Sequence, residues 1–333
     1  MDIKIKKEIY DEISNLLKEA RKNIVSNINT TMTKTYFLIG KRIVEEEQNG
    51  NERAEYGENL IKNLSKRLTE EFGKGFSVTN LKQMKSFYIA YRKGQTVSDQ
   101  FKLSWSHYLI LMRIENINER NFYEIESIEN NWSLRELRRQ IDSALYERLV
   151  LSIDKEKIKL LSLKGQILEK PEDVVKDPYV LEFLGLEEKS DYSENELETA
   201  IINNLEKFIM ELGKGFLFQG RQVRFTFDEE HYFVDLIFYN RLLKCFVLID
   251  LKIGKLKHQD LGQMQMYVNY YDRFVKLPDE NKTIGIIICK EKNDTLVRMT
   301  LPEDNQQIFA SRYMTVLPSK EDLKKIIDET DKK

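Results

Sequence analysis

Phe233-Val234-Asp235-Leu236-Ile237-Phe238-Tyr239 and, shortly after it, Cys245-Phe246-Val247-Leu248-Ile249-Asp250-Leu251-Lys252 decide how this chain is read. Both stretches are rich enough in β-branched and aromatic residues to be strands of a buried sheet. Yet each carries a carboxylate. Alternation along a strand sets Asp250 and Lys252 on one face. If the two strands form a hairpin with an even-numbered loop near Asn240–Leu243, Asp235 shares that face. Two carboxylates and an ammonium then converge at one end of a sheet. Unpaired buried carboxylates are costly, and a divalent cation removes that cost. Hard oxygen donors suit Mg2+ or Mn2+ better than zinc, and the backbone carbonyl of Leu251 can join them. Such an ion polarises a phosphate and activates water. Lys252 would orient or deprotonate that water, or stabilise the charged transition state. The competing reading of Asp250-Leu-Lys252 is a surface charge pair at a strand end.

Outward from this pair, the pattern predicts a helix over 196–212 (Ile201, Ile202, Leu205, Phe208, Ile209, Leu212), ended by Gly213 and Gly215. Strands follow over 216–227, 231–240 and 243–252. Then come a helix over 257–273, a buried strand from Ile284 to Cys289, a short helix, a strand over 307–317 and a helix over 319–330. This order predicts an α/β domain with a mixed central sheet.

The first of the five prolines is Pro171, and the text before it reads as mostly helical. Helices are expected over 5–29, 31–49 and 56–72. Another starts at the N-cap Ser77, another at Ser104 or Ser106, and another at Ser133 with Glu136 as its capping-box partner. The glycine turn before Ser77 leaves two readings open, a helix-turn-helix or winged helix and a plain helical hairpin. Arg135, Arg138, Arg139 and Arg148 form either a solvated face or a phosphate-contacting one. His107 reads as structural. The expected organisation is a helical DNA- or partner-binding domain over 1–150, a linker and docking segment over 151–195 (with Leu181–Leu186 as a short helix), and the sheet domain over 196–333.

With 333 residues, 41% hydrophobic and 32% charged, the chain can build about two folded domains. A net charge of −2 excludes a histone-like basic protein, although a local basic patch suffices for nucleic acid. Cys245 and Cys289 lie in apolar runs and read as buried thiols of a reducing compartment. Three histidines leave little from which to assemble a zinc site. No signal peptide and no apolar run of about 18 residues is visible, so a cytoplasmic protein is expected. The richness in Lys, Ile and Asn points to an AT-rich bacterial genome.

Val-Asp-Leu, a spacer and Ile-Asp-Leu-Lys resemble the PD-(D/E)xK nuclease signature. The surrounding text narrows this: Phe208-Ile-Met-Glu-Leu-Gly-Lys-Gly-Phe216, Gly220-Arg-Gln222, Asp235-Leu-Ile-Phe-Tyr239 and Leu251-Lys-Ile-Gly254 resemble the C-terminal domain of the YhcG-like nuclease family. Tyr36-x-x-Ile-Gly40, Phe76-Ser-x-x-Asn-Leu81, Leu103-Ser-Trp-Ser-His-Tyr108 and Asn131-Trp-Ser133 resemble its N-terminal domain. The resemblance runs over about residues 10–318 and implies a restriction-endonuclease-like, metal-dependent nuclease of DNA. It implies Glu211 as a further acidic metal ligand supplied by the first helix, with Glu206 as the competing choice. Gln263 and Tyr267 resemble a Q-x-x-x-Y element, one helical turn apart; Gln263 would hold Lys252 or a phosphate, and Tyr267 would touch substrate. Arg221, Gln222, Arg224, Lys255 and Lys257 are candidates for the DNA backbone, as is His258. Two departures stand out: Val234 replaces the nominal proline, and Asp250 stands where the family often has Glu. The alternative function is a non-catalytic DNA-binding or adaptor subunit of a DNA-processing, restriction or phage-defence assembly. Protein partners are expected through the N-terminal half, and a homo-oligomer of undetermined size.

Overall fold

The computed structural model describes residues 2–49, 54–92, 101–152, 155–186, 192–227 and 229–317. The chain divides into two compact units, Met1–Arg138 and Arg139–Lys333.

The described part of the first unit is helical: α1 (Asp2–Asn49), α2 (Ala54–Phe72), α3 (Val78–Tyr91), α4 (Trp105–Leu111) and α5 (Ile117–Glu129). The two helices expected over 5–29 and 31–49 are one. No Gly or Pro interrupts Asn27–Thr35, and Thr35 turns its hydroxyl back onto the Thr31 carbonyl (2.9 Å) inside the helix. α1 and α3 meet backbone to backbone at Gly40, where a Cβ would lie 2.0 Å from the Met84 carbonyl oxygen. Phe37, Phe87, Phe101 and Tyr108 fill the core beside this crossing, with ring centroids 5.0 Å (Phe87–Phe101) to 5.7 Å (Phe37–Phe87) apart. Ser77 caps α3 by accepting from the Asn80 N–H. α3 commits Leu81, Met84 and Phe87 to the interior. Among the described residues this unit has no strand to serve as a wing. His107 is structural: Nδ1 lies 2.7 Å from Ser104 Oγ, and Nε2 3.0 Å from the Trp132 carbonyl.

The boundary between the units falls within α6 (Leu134–Asp142). The second unit continues with α7 (Leu145–Ser152), α8 (Lys155–Lys164), β1 (Tyr179–Val180), α9 (Glu194–Asn203) and α10 (Leu205–Leu212). β2 (Phe216–Phe227), β3 (Glu230–Asn240), β4 (Cys245–Lys255), α11 (His258–Tyr270), β5 (Ile284–Glu291), α12 (Asp294–Thr300) and β6 (Ile308–Met314) follow. The strands form one mixed sheet in the order β1-β6-β5-β4-β3-β2. β2, β3 and β4 run antiparallel, while β4, β5, β6 and β1 are parallel. Each face is covered. Val247, Ile249, Leu251, Ile284, Ile286 and Ile288 pack with Leu197, Ile201, Phe208 and Leu212 of α9 and α10. Leu248, Ile287 and Cys289 pack with Leu261, Met264, Tyr267 and Val268 of α11. Such double burial explains why β4 and β5 read as nearly continuous apolar runs. α11 lies so close to β5 that a Cβ on Gly285 would stand 2.6 Å from Met264 Sδ. Cys245 and Cys289 are free and buried.

Three expectations differ from what is observed. The helix expected over 196–212 is divided at Asn204 (φ −120°, ψ 30°), whose side-chain amide donates back to the Ala200 carbonyl (3.1 Å). Within the stretch expected as linker and docking segment, Tyr179 and Val180 join the sheet. β1 pairs with β6, and Val174, Tyr179 and Leu181 are buried, because that apolar surface gains more from the core than from solvent. Within it, the short helix expected at Leu181–Leu186 is a single 3-10 turn, Glu182–Leu184, stopped by Gly185 at φ 67°. The helix expected over 319–330 lies outside the described residues. No described helix is long and apolar enough to cross a membrane.

Candidate active site

β3 and β4 are joined through residues 241–244, an even-numbered loop. Asn240 Oδ1 holds it by accepting from the N–H groups of Leu242 (3.0 Å) and Leu243 (3.1 Å). The resulting register sets Leu236 opposite Ile249. One residue further on, Asp235 falls opposite Asp250. On the other side, Arg221 pairs with Leu236 and Val223 with Val234, so Gln222 falls opposite Asp235. Gln222, Asp235 and Asp250 therefore form a row across three neighbouring strands.

The row is wired together. Asp235 Oδ2 accepts from the Leu251 N–H (2.8 Å), and Oδ1 accepts from Gln222 Nε2 (2.9 Å). Gln222 Nε2 also donates to the carboxylate of Glu198 on α9. Gln222 reaches both carboxylates from a backbone with φ of 45°, a conformation that costs a non-glycine residue of order 1 kcal/mol or more and often marks functional positions. Glu198 is buried, and its Oε1 lies 2.9 Å from Nε of Arg221. Lys252 Nζ lies 2.8 Å from Asp250 Oδ2 and 3.5 Å from Glu194 Oε2, one turn before Glu198 on α9.

The electrostatics follow from this crowding. Burial, and then the charge of Asp235, push the Asp250 carboxyl up to about 7, against the pull of Lys252. Burial opposes the charge of Lys252, but Asp250 outweighs it and raises the ammonium pKa. Lys252 is therefore firmly protonated. Tyr267 is pushed up to about 12 by burial first and then by Asp250.

An acidic pair of this kind, Asp250 buried and Asp235 half-buried, short of cations and offering only oxygen donors, suits a hard divalent ion. Among the described residues no three His, Cys, Asp or Glu side chains converge into a complete cage. The remaining donors would have to be main chain, water and phosphate.

Asp235, Asp250, Leu251 and Lys252 are brought together as their spacing suggested. Glu211 is not with them. It is fully buried at the end of α10, where Arg148 Nη1 donates to Oε1 (2.6 Å), Arg139 Nη2 to Oε2 (3.3 Å) and the Val180 N–H to Oε1 (2.9 Å). Burial alone would raise its carboxyl, but Arg148, Lys176 and Arg139 together drive it down to about 2. Its oxygens are already satisfied by cations of the chain. Arg139 and Arg148 correspondingly leave the arginine face expected from the sequence and enter this cluster. Glu206 is exposed. The acid that this region brings to the row is Glu198 of α9, on the helix before the break at Asn204. Its trace in the sequence is slight, a carboxylate beside the apolar positions Leu197 and Ile201.

Tyr267 also departs from expectation. It is buried, and its hydroxyl accepts from Gln263 Nε2. Gln222 and Arg221 are occupied by Glu198 and Asp235. Arg224, Lys255 and Lys257 are exposed.

Comparison with known proteins agrees with this geometry. Residues 172–328 match the family described as the YhcG PDDEXK nuclease domain, and residues 12–148 match the DUF1016 N-terminal domain. The chain is 39% identical to YhcG of Escherichia coli strain K12 over 97% of its own length and 92% of that protein's. Two solved structures align over parts of the chain. One is a repair endonuclease from Pyrococcus abyssi (18% identity, TM-score 0.25, 37% of this chain and 48% of that one). The other is EndoMS in its apo form (19% identity, TM-score 0.26, 39% and 49%). Both likenesses are too slight to bear on fold or function. The full-length match, with the Asp235–Asp250–Lys252 row in the matching domain, places the chain in the YhcG family of PDDEXK nuclease-domain proteins.

Proposed function

We propose that the protein is a divalent-metal-dependent nuclease that hydrolyses phosphodiester bonds in DNA. The observation that carries this reading is the pairing of Asp235 with the buried Asp250 beside Lys252, in which Asp250 shares one ammonium with a second carboxylate. Asp235, Asp250 and the Leu251 carbonyl would hold Mg2+, with Mn2+ as the substitute. When bound, the ion supplies Lewis-acid polarisation of the phosphate and an activated water. Lys252, kept charged by Asp250, donates hydrogen bonds to the water or to a phosphate oxygen rather than taking a proton. Gln222 and Arg221 tether Glu198 beside Asp235, so that both acids hold their geometry without reorganising. Gln263 positions Lys252 or the phosphate from α11, with Tyr267 bracing it. Arg224, Lys255 and Lys257 contact the DNA backbone, and the helical unit recognises DNA or a protein partner. The setting is the bacterial cytoplasm.

One observation favours a second reading, DNA binding without hydrolysis: no complete ligand cage forms among the described residues. A single assay separates the two. Labelled linear, nicked, branched and single-stranded DNAs are incubated with wild type or Asp250→Ala in Mg2+, Mn2+ or EDTA. Cleavage by wild type alone, lost in EDTA, supports the nuclease. Salt-dependent binding with no cleavage under any condition supports the binder.

A further inference from the structure

Glu194 stands in the first turn of α9, and its place there is fixed. Ser193 caps the helix: its Oγ accepts from the Glu196 N–H (3.2 Å), and Glu196 Oε2 accepts from the Ser193 N–H (2.7 Å). Tyr192, just before the cap, is buried, with its hydroxyl oxygen 3.0 Å from that of Tyr313 on β6. Leu197 and Ile201 pack the helix onto the sheet. Glu194 and Glu198 are one turn apart and lie on one side of α9. Glu198 reaches Gln222 and Arg221, while Glu194 Oε2 lies 3.5 Å from Lys252 Nζ.

Lys252 thus sits between two carboxylates of different standing. Asp250 is buried and 2.8 Å away; the Glu194 side chain is 47% exposed and reaches in from solvent. On the metal-dependent reading, Asp250 turns its lone pairs to a divalent ion. An ammonium held by the same carboxylate is then repelled by that ion and loses part of its partner. Among the described residues Glu194 is the other carboxylate paired with Lys252. We propose that Glu194 is a positioning residue for Lys252: it takes over the ammonium when a divalent ion occupies Asp250, and so keeps Nζ at the site. The inference rests on the metal-dependent reading of Asp235 and Asp250. It relieves the competition between ammonium and ion for one carboxylate without discharging Lys252. With Glu194 neutralised, the ammonium falls back on Asp250, and metal binding has to break that pair outright.

The test is a cycle of Mn2+ affinities on the full-length protein without DNA, read from the electron paramagnetic resonance of free Mn2+. Glu194→Gln is expected to weaken binding about threefold to tenfold, the scale of one coupled ion pair. Lys252→Met, with no ammonium to displace, is expected to bind Mn2+ at least as tightly as wild type. On that background Glu194→Gln is expected to change affinity by less than about twofold, because the residue it acts through is gone. Glu194→Asp keeps the charge on a shorter arm and is expected to recover most of the loss. In cleavage, Glu194→Gln is expected to lower kcat about tenfold while KM for DNA stays within about twofold, as misplacing Lys252 would. An affinity unmoved by Glu194→Gln would overturn the proposal and leave a surface ion pair. An equal loss on the Lys252→Met background would also overturn it, making Glu194 a charge that acts on the ion itself. Either result in a protein that cleaves DNA with Mn2+ overturns this inference alone. A wild type that binds no Mn2+ overturns the metal-dependent reading and this inference together.

Discussion

Glu211 and Asp250 are both buried carboxylates in the same unit, and their surroundings treat them in opposite ways. Glu211 has two guanidiniums and the Val180 N–H on its oxygens, with Lys176 bound to its own carbonyl, and its acidity is strengthened to about 2. Asp250 has one ammonium for a site it shares with Asp235, and its acidity is weakened to about 7. The difference lies in how many cations each carboxylate is given, not in how deeply it is buried. A buried charge fully matched by fixed partners is a structural element, and removing one partner is expensive. A buried charge left short of partners is destabilising on its own and gains from a ligand that supplies the missing positive charge. The first cluster ties α6, α7, β1 and α10 together; the second is where chemistry is expected.

This contrast can be broken or sharpened experimentally. The largest effect is expected from Asp250→Asn, which should lower metal-dependent cleavage by about a thousandfold or more, the scale of losing a principal electrostatic group. The same substitution should raise the melting temperature of the metal-free protein at pH 8. The Asp250 carboxyl is raised in the folded state, so its ionisation opposes folding; that penalty is absent at pH below about 4 and complete above about 7. A loss of stability at pH 8 would show that Asp250 is satisfied by the chain after all.

Arg148→Met is expected to do the reverse, costing about 3–5 kcal/mol in denaturant unfolding by stranding Glu211. Full stability in that variant would remove the distinction between the clusters. Acid unfolding should then report Glu211 directly. Its carboxyl is depressed in the folded state, so its contribution is complete above the ordinary carboxylate value of 4.5 and is lost as pH falls towards about 2. Between those limits Glu211 adds a slope of up to ~1.4 kcal/mol per pH unit. Glu211→Gln, measured in parallel, should lack that slope. The smallest effect is expected from Tyr267→Phe, which removes a hydroxyl bound to Gln263; cleavage should change by no more than about fivefold, a hydrogen bond being worth about 1 kcal/mol. A hundredfold loss would return Tyr267 to the substrate.

Much of this was legible from the chain alone. Alternation along Phe233–Tyr239 and Cys245–Lys252, with a loop of even length, already places Asp235, Asp250 and Lys252 together, because strand geometry has a period of two and requires nothing beyond the hairpin. The long apolar runs announce a sheet covered on both faces, and the proline-free half announces helices. Tertiary structure alone decided which acid of the 194–212 region joins the row. Glu198 and Glu211 lie on either side of the break at Asn204 and end in different environments, the one beside Gln222 and Arg221, the other beside Arg139 and Arg148. It also decided that Arg139 and Arg148 turn inward, since a charged residue's burial depends on partners distant in sequence: Glu211 lies 63 residues from Arg148. Likewise, it drew Tyr179 and Val180 out of an apparent linker and into the sheet, where β6 supplies the hydrogen bonds that no local pattern contains. Local periodicity specifies which side chains share a face; only the folded chain specifies which charges meet across it.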